Sequence, residues 1–329
     1  MIRLFANANY DFIGFRTKAY VFTAVALLLS LAGFALRGIN YSVEFTGGTL
    51  VRFTTEAPVD IGQVRAGLDA QGVHGAEIVQ FGNDPDYAVR ARTAKQGTDA
   101  DNTQETASAV STALDQVLGS GGYAIGKTEA VGPKVGAELR TKALLAILLS
   151  FVAVLLYLAY RFEWRFGAAA VVATAHDILL TLGFIAVMKL EVSLVVVGAV
   201  LSMVGYSLND TIIIFDRVRE NLRKMRGVTF ADVLNRSVNE TLPRSVLTHG
   251  TTLATLGSLA VFGGEVIRPF ALVMFFGVFT GTFSSIYIAS PVLLWIEQKW
   301  PGAAVKQLAG ARPAAKGPGT AGRKPQPAV

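Results

Sequence analysis

The residues of this chain best placed to do chemistry are two carboxylates that interrupt long apolar runs. Asp177 follows His176 near the middle of one run, and Asp210 lies in Gly205-Tyr206-Ser207-Leu208-Asn209-Asp210-Thr211, with Ile212–Phe215 continuing the pattern beyond it. An ionised Asp at the centre of a membrane helix costs about 2.5–3.5 kcal/mol on insertion scales, so such residues face protein or a water-filled path. The next run opens with Leu242-Pro243-Arg244-Ser245 and carries a polar stripe of Thr248, His249, Thr251, Thr252 and Thr255. Antiparallel neighbours joined by a cytoplasmic loop would bring Arg244 to the depth of Asp210, as its counter-charge. Burial favours a neutral carboxyl and a nearby guanidinium favours the ionised form, so moving the two apart favours protonation. A carboxylate alternating between these states can couple proton passage to helix movement. The same pair could also be a static salt bridge locking two helices.

Asp210 and Arg244 are therefore the leading candidates for a proton relay, with Asp177 a lesser one. Tyr206, Asn209, Thr248, Thr251 and Thr252 would be the supporting polar groups. For His176 and Asp177, a hydrogen bond to a neighbouring helix weighs as much as proton transfer. By depth, Asp210 falls about 10 Å to the cytoplasmic side of its run's centre, while Asp177 falls near mid-membrane. That separation argues against an intramembrane aspartyl protease, whose two carboxyls must share a proton within about 3 Å.

The elements that must hold these residues follow from composition. The chain has 329 residues, of which 52% are hydrophobic and only 16% charged, and its mean hydropathy is +0.45; soluble domains carry about 25% charge. Apolar runs of about 18–25 residues are long enough to span a bilayer core. Six qualify, at residues 19–36, 143–160, 166–188, 192–214, 246–262 and 269–296. Without cysteine, a disulfide scaffold is excluded. With the N-terminus inside, the cytoplasmic segments hold 18 Lys/Arg against seven acids, and the external ones 11 against 15. The positive-inside rule therefore predicts cytoplasmic N- and C-termini, with residues 1–18, 215–245 and 297–329 inside and 37–140 outside. The net charge of +6 reflects topology and does not argue for nucleic acid as a partner.

Between the first two runs, residues 37–140 alternate in a different way. Thr49–Thr55 reads as a strand, Asp60–Ala70 as a helix, Ala76–Phe81 and Tyr87–Ala91 as strands about a Gly82-Asn83-Asp84-Pro85 turn, Thr103–Leu118 as an amphipathic helix and Tyr123–Val131 as a last strand. The order β-α-β-β-α-β predicts a ferredoxin-like domain, with Lys95–Asn102 a loose loop. Its single histidine, His74, beside glycines, is a surface residue, and no metal cluster, nucleophile–base pair or phosphate loop can be picked out. This domain should bind or move something. Elsewhere, Gly277-Val278-Phe279-Thr280-Gly281 is a GxxxG packing pattern, with Gly205 a further packing glycine. Thr229–Leu242, with Thr229 and Asp232 as a start signal, predicts an amphipathic helix along the inner interface. The residues after Trp300 should be a disordered basic tail.

The motifs, taken in order, resemble the SecF family of bacterial protein translocase subunits. They are Asp11-Phe12-Ile13, Tyr41-Ser42-Val43-Glu44-Phe45-Thr46-Gly47-Gly48-Thr49, Val131-Gly132-Pro133-Lys134-Val135-Gly136, His176-Asp177, Gly205–Asp216 with Arg217-Val218-Arg219-Glu220-Asn221, Leu242-Pro243-Arg244-Ser245, Thr251-Thr252, and Gly277 with Ser284-Ser285-Ile286-Tyr287. The family usually has Asp where this chain has Glu44, a conservative difference of one methylene. The resemblance implies an α-helical polytopic membrane protein, a six-span half of the RND-type architecture, in the bacterial inner membrane. It implies a SecD partner, the SecYEG channel, a functional link to SecA, translocating preprotein, a YajC-like accessory subunit and surrounding lipid. Its activity would be use of the proton-motive force in late protein export, with no catalytic chemistry and no cofactor; sodium is the alternative coupling ion. The family's membrane Asp and Arg fall on Asp210 and Arg244, and because the chain starts at a methionine and has no SecD half, an unfused subunit is expected. A rival reading, an RND-like exporter of small molecules or lipids, would need larger external domains.

Overall fold

The computed structural model describes residues 5, 8–80, 85–91 and 99–310. Helix α1 (Arg16–Arg37) leads to β1 (Asn40–Tyr41) and the one-turn α2 (Val43–Thr46). An α/β unit follows, made of β2 (Gly48–Thr55), α3 (Ile61–Ala70), β3 (Glu77–Gln80), β4 (Asp86–Ala91), α4 (Asp99–Leu118) and β5 (Tyr123–Val131). The chain then forms α5 (Pro133–Arg161), α6 (Trp164–Val187), β6 (Glu191–Val192), α7 (Leu194–Lys224), α8 (Phe230–Phe262), α9 (Gly264–Ser284), a π turn at Ser285–Ala289, α10 (Ser290–Lys299) and α11 (Ala303–Gly310). Among the described residues, six helical runs are long and apolar enough to cross a membrane; α9, the π turn and α10 together supply the last, Val266–Lys299.

In the α/β unit the strands form one antiparallel sheet in the order β3-β4-β2-β5. Alternation along β2 sends Val51 and Phe53 to one face, where they meet Tyr87 and Val89 of β4 beneath Val64, Leu68, Val110 and Leu114 of the two helices. Burying each of these side chains contributes roughly 1.5–3 kcal/mol. Leu50 points to the other face and is buried with Val43 of α2 and Ala88. The segment Val43–Thr46 thus covers the back of the sheet. Helix α4 begins at Asp99, so residues 99–102 are helical where a loop was expected; no Gly or Pro between 99 and 118 stops the helix from extending by a turn. Residues 95–98 and the Gly82-Asn83-Asp84 turn lie outside the described residues.

Two further expectations change. The amphipathic stretch Thr229–Leu242 is not a separate interfacial helix, because α8 runs unbroken through Pro243. Thr229 and Asp232 do start it: the Asp232 N–H donates to the Thr229 hydroxyl at 3.2 Å, and the Thr229 N–H to the Asp232 carboxylate at 3.0 Å. Its apolar face, Phe230, Val233, Leu234 and Val238, packs on Phe215, Val218 and Leu222 of α7. That burial, with Asn221 Nδ2 donating to Ser237 at 3.0 Å and Glu240 at 2.8 Å, outweighs the hydrogen bond lost at the proline. The segment after Trp300 contains α11, whose Leu308 is buried in the same cluster; residues 311–329 lie outside the described residues.

Lipid is as apolar as leucine, so close contact and polar bonds must hold the bundle together. Helix α9 approaches α7 across its glycines. A Cβ on Gly277 would lie 2.0 Å from Met203 Cγ, and one on Gly281 would lie 2.8 Å from Ser207 Cβ. Gly205, expected to pack with them, has no atom within 4 Å of its Cβ position. The reason is rotational: residue 205 stands about 200° round the helix from both 203 and 207. Two alanine substitutions should therefore have opposite signs. Gly277→Ala should lower stability by about 1–3 kcal/mol through overpacking, and Gly205→Ala should raise it by roughly 0.5–1 kcal/mol through helix propensity. Unfolding of the purified chain in mixed detergent–SDS titrations measures both; equal responses would contradict the contact.

Candidate functional site

Helix α7 presents Tyr206, Ser207, Asp210 and Thr211 along one side, the spacing of successive turns. Ser207 and Thr211 engage α6 and the π turn after α9, whereas Tyr206 and Asp210 engage α8. Asp177, on α6, has no exposed surface. Its Oδ2 accepts hydrogen bonds from Ser207 at 2.5 Å and from Ser284 of α9 at 2.7 Å, and its Oδ1 lies 2.9 Å from His176 Nδ1. Beside this hub, Thr211 and Ser285 pair through their hydroxyls at 2.8 Å, where α9 passes into the π turn. One carboxylate therefore ties together α6, α7 and α9.

Asp210 forms a separate site with α8. It is 3% exposed, and its Oδ1 accepts from the Ser245 hydroxyl at 2.7 Å. His249, one turn further along α8, brings Nε2 to 3.9 Å from the same oxygen. Tyr206 leans over the His249 ring, with centroids 5.5 Å apart, and its hydroxyl shares a 2.9 Å hydrogen bond with Thr252. Asp210 Oδ2 and His249 Nδ1 are buried and have no hydrogen-bond partner. Such unsatisfied groups are costly inside a low-dielectric bundle.

This arrangement corrects the pairing expected for Arg244, which is exposed and makes no contact with Asp210. Ser245 faces the carboxylate, and its neighbour one residue back is turned about 100° away. Asn209 and Thr251 are likewise exposed; the Thr251 hydroxyl donates to Leu247 and Thr248 carbonyls of its own helix, each at 3.0 Å. Thr248 contributes its carbonyl, which accepts from Tyr206 at 3.4 Å, while its side chain is outside the site. The expected depth gap also shrinks. Ser207 reaches Asp177, and Ser207 precedes Asp210 by three residues, or about 4.5 Å of helix rise. Ser207, Ser245, His249, Ser284 and Ser285 complete the two sites; Ser207 carries a local signal, a small polar residue one turn before Asp210, whereas the other four lie on helices without an intramembrane acid.

A second cluster joins the α/β unit to the bundle. Glu44 Oε2 accepts the Leu194 N–H at 2.6 Å, satisfying one of the free donors at the N-terminus of α7, where a carboxylate also complements the helix dipole. Parallel pairing of β1 with β6 and the Arg90–Glu191 ion pair at 2.5 Å reinforce the junction. Gly47 and Gly48 take φ of 71° and 128°, conformations open to glycine. A Cβ on Gly136 would come within 2.9 Å of Gly47 N, and Gly132 and Pro133 start α5 beside it as N-cap and first helical residue. Asp210 lies 16 residues along α7 from Leu194, about 24 Å, so one rigid helix carries both the junction and the buried carboxylate.

Family models match the regions that build both places. The model described as protein export membrane protein SecD/SecF, C-terminal, covers residues 110–299, and that of the SecD/SecF GG motif covers residues 32–59, including Glu44, Gly47 and Gly48. The chain belongs to the SecD/SecF family. A protein translocase subunit SecF from Gemmatimonas aurantiaca is 53% identical over 304 residues, 92% of this chain and 91% of the relative. One from Pseudomonas aeruginosa is 39% identical over 286 residues, 87% of this chain and 91% of that protein. Among solved structures, SecDF of Thermus thermophilus, described as a translocon-associated membrane protein, matches with a TM-score of 0.77 and 34% identity over 89% of this chain. A SecDF structure in a super-membrane-facing form matches with the same identity and coverage and a TM-score of 0.63. The chain spans 39% of each of those longer polypeptides.

Proposed function

We propose that this chain is a SecF-type subunit that pairs with a SecD partner and uses the proton-motive force to promote late protein export through the SecYEG channel, after SecA has driven early transit. The observation that carries this reading is Asp210, a buried carboxylate between two spanning helices, within a chain whose SecF relatives match it over 87% to 92% of its length. Its neighbours are uncharged hydroxyls and an imidazole rather than a locking guanidinium, which suits a group that changes protonation. The charge distribution supports cytoplasmic termini and an external α/β unit, and the antiparallel sheet with two helices supports a ferredoxin-like assignment of that unit. Glu44 at the start of α7 offers a mechanical route from the bundle to that unit. A protease reading fits poorly, because Asp177 and Asp210 hold separate partners on different helices.

The test is co-purification with a SecD partner, followed by preprotein release from membrane vesicles with the proton gradient intact or collapsed by an uncoupler. Gradient-dependent acceleration that requires this chain supports the reading. Release that is equally fast with and without the chain would overturn it.

A further inference from the structure

We propose that His249 is the proton-exchanging partner of Asp210 in this chain. The inference rests on the reading of Asp210 as a proton site and deepens it. Among the described residues, the imidazole is the ionisable group that faces the carboxylate from the neighbouring helix, with Nε2 3.9 Å from Oδ1. Both residues are buried, at 6% and 3% exposure. Each also has a fully buried polar atom without a hydrogen-bond partner, Nδ1 on the ring and Oδ2 on the carboxylate. The 3.9 Å gap is too long for a direct hydrogen bond and short enough for a small side-chain rotation or a single water to bridge.

The exchange balances simply. A proton leaves the Asp210 carboxylic acid for Nε2 of the imidazole tautomer protonated at Nδ1, giving a carboxylate and an imidazolium. A water molecule admitted beside Nδ1 then takes the Nδ1 proton as hydronium and leaves a neutral ring protonated at Nε2, with the two nitrogens serving as entry and exit. Ser245, one turn before His249, holds Oδ1 at 2.7 Å, and Tyr206, anchored on Thr252, limits ring rotation. The other ionisable groups around the pair are few. Helix α7 adds Tyr206 beside the ring, and its Ser207 leads to the Asp177–His176 pair of α6. On α8 itself, Arg244 is exposed. Helix α9, also packed on α8, has no ionisable side chain between Arg268 and Tyr287, and Glu297 of α10 is engaged by Arg165 at 3.0 Å.

The experiment compares wild type, His249→Gln and Asp210→Asn, each assembled with its SecD partner in vesicles, for gradient-stimulated export across pH 5.5–8.5. His249→Gln is expected to move the half-maximal pH by about one unit or to flatten the profile, a shift a packing role would not produce. A His249→Gln profile superimposed on wild type, with Asp210→Asn inactive, would overturn the proposal alone; an active Asp210→Asn would overturn the proton-site reading beneath it. The chain has three histidines, so ¹⁵N-histidine spectra give an independent readout, with His74→Gln and His176→Gln completing the assignment if His249→Gln does not fold. The His249 titration midpoint should shift by about one unit in Asp210→Asn; an unchanged midpoint would equally sink the proposal.

Discussion

Replacing Asp210 with Asn is expected to abolish gradient-driven stimulation of protein export while leaving the chain folded and able to assemble. Asn retains the shape of Asp and an acceptor oxygen for the Ser245 hydroxyl, which now lies 2.7 Å from Oδ1. Stability should therefore change by no more than about 1 kcal/mol, within the range of ordinary substitutions. What the amide cannot do is bind and release a proton. Export driven by the nucleotide-dependent motor alone should continue at its basal rate, and collapse of the gradient should no longer slow it. Vesicle assays with and without an uncoupler measure this directly. Undiminished stimulation in the Asn variant would exclude Asp210 as the coupling group. Loss of the assembled complex would instead show that the carboxylate acts as a lock between α7 and α8.

Asp177→Ala should show the opposite division, with a large loss of stability as its primary effect. The carboxylate has no exposed surface and accepts from two serines on different helices while meeting His176 at 2.9 Å. Truncation leaves those groups buried without an acceptor, at about 1–3 kcal/mol for each that finds no substitute. Interhelical bonds in membranes average less, about 0.6 kcal/mol, because unfolded helices also find partners. A net loss of about 2–4 kcal/mol is expected, and Asp177→Asn should fall between it and wild type, because one acceptor oxygen survives. Mixed detergent–SDS unfolding measures the difference. A stability for Asp177→Ala within 0.5 kcal/mol of wild type, which is the ordinary scatter of benign substitutions, would remove Asp177 as the hub of α6, α7 and α9.

Asp177 and Asp210 were visible in the sequence because a charge inside an apolar run is rare and costly. The capping residues Thr229 and Asp232 could be read for a similar reason, since their interaction spans three residues. Arg244 was misread as the partner of Asp210 because depth was the available guide. Depth is set by counting residues from the end of a run, whereas facing is set by rotation about the helix axis. A single position separates Arg244 from Ser245, and that one step reverses which of them meets α7. The continuity of α8 was hidden in the same way, because Pro243 and the polar loop composition are local, while the apolar face that stabilises the helix finds its partners on α7.

The sequence by itself determined the six apolar runs, the mixed α/β segment between the first two, the two intramembrane acids and the family motifs. Each is a property of neighbours along the chain, fixed by hydropathy and periodicity. Only the tertiary structure decided that Asp177 serves three helices, that Asp210 faces Ser245 and His249, and that Glu44 holds the start of α7. These depend on how the helices are rotated and how closely they pack. Gly277 and Gly281 make that packing possible by letting α9 sit against Met203 and Ser207, and the α9–α7 contact helps fix the rotation of α7 that turns Asp210 toward α8.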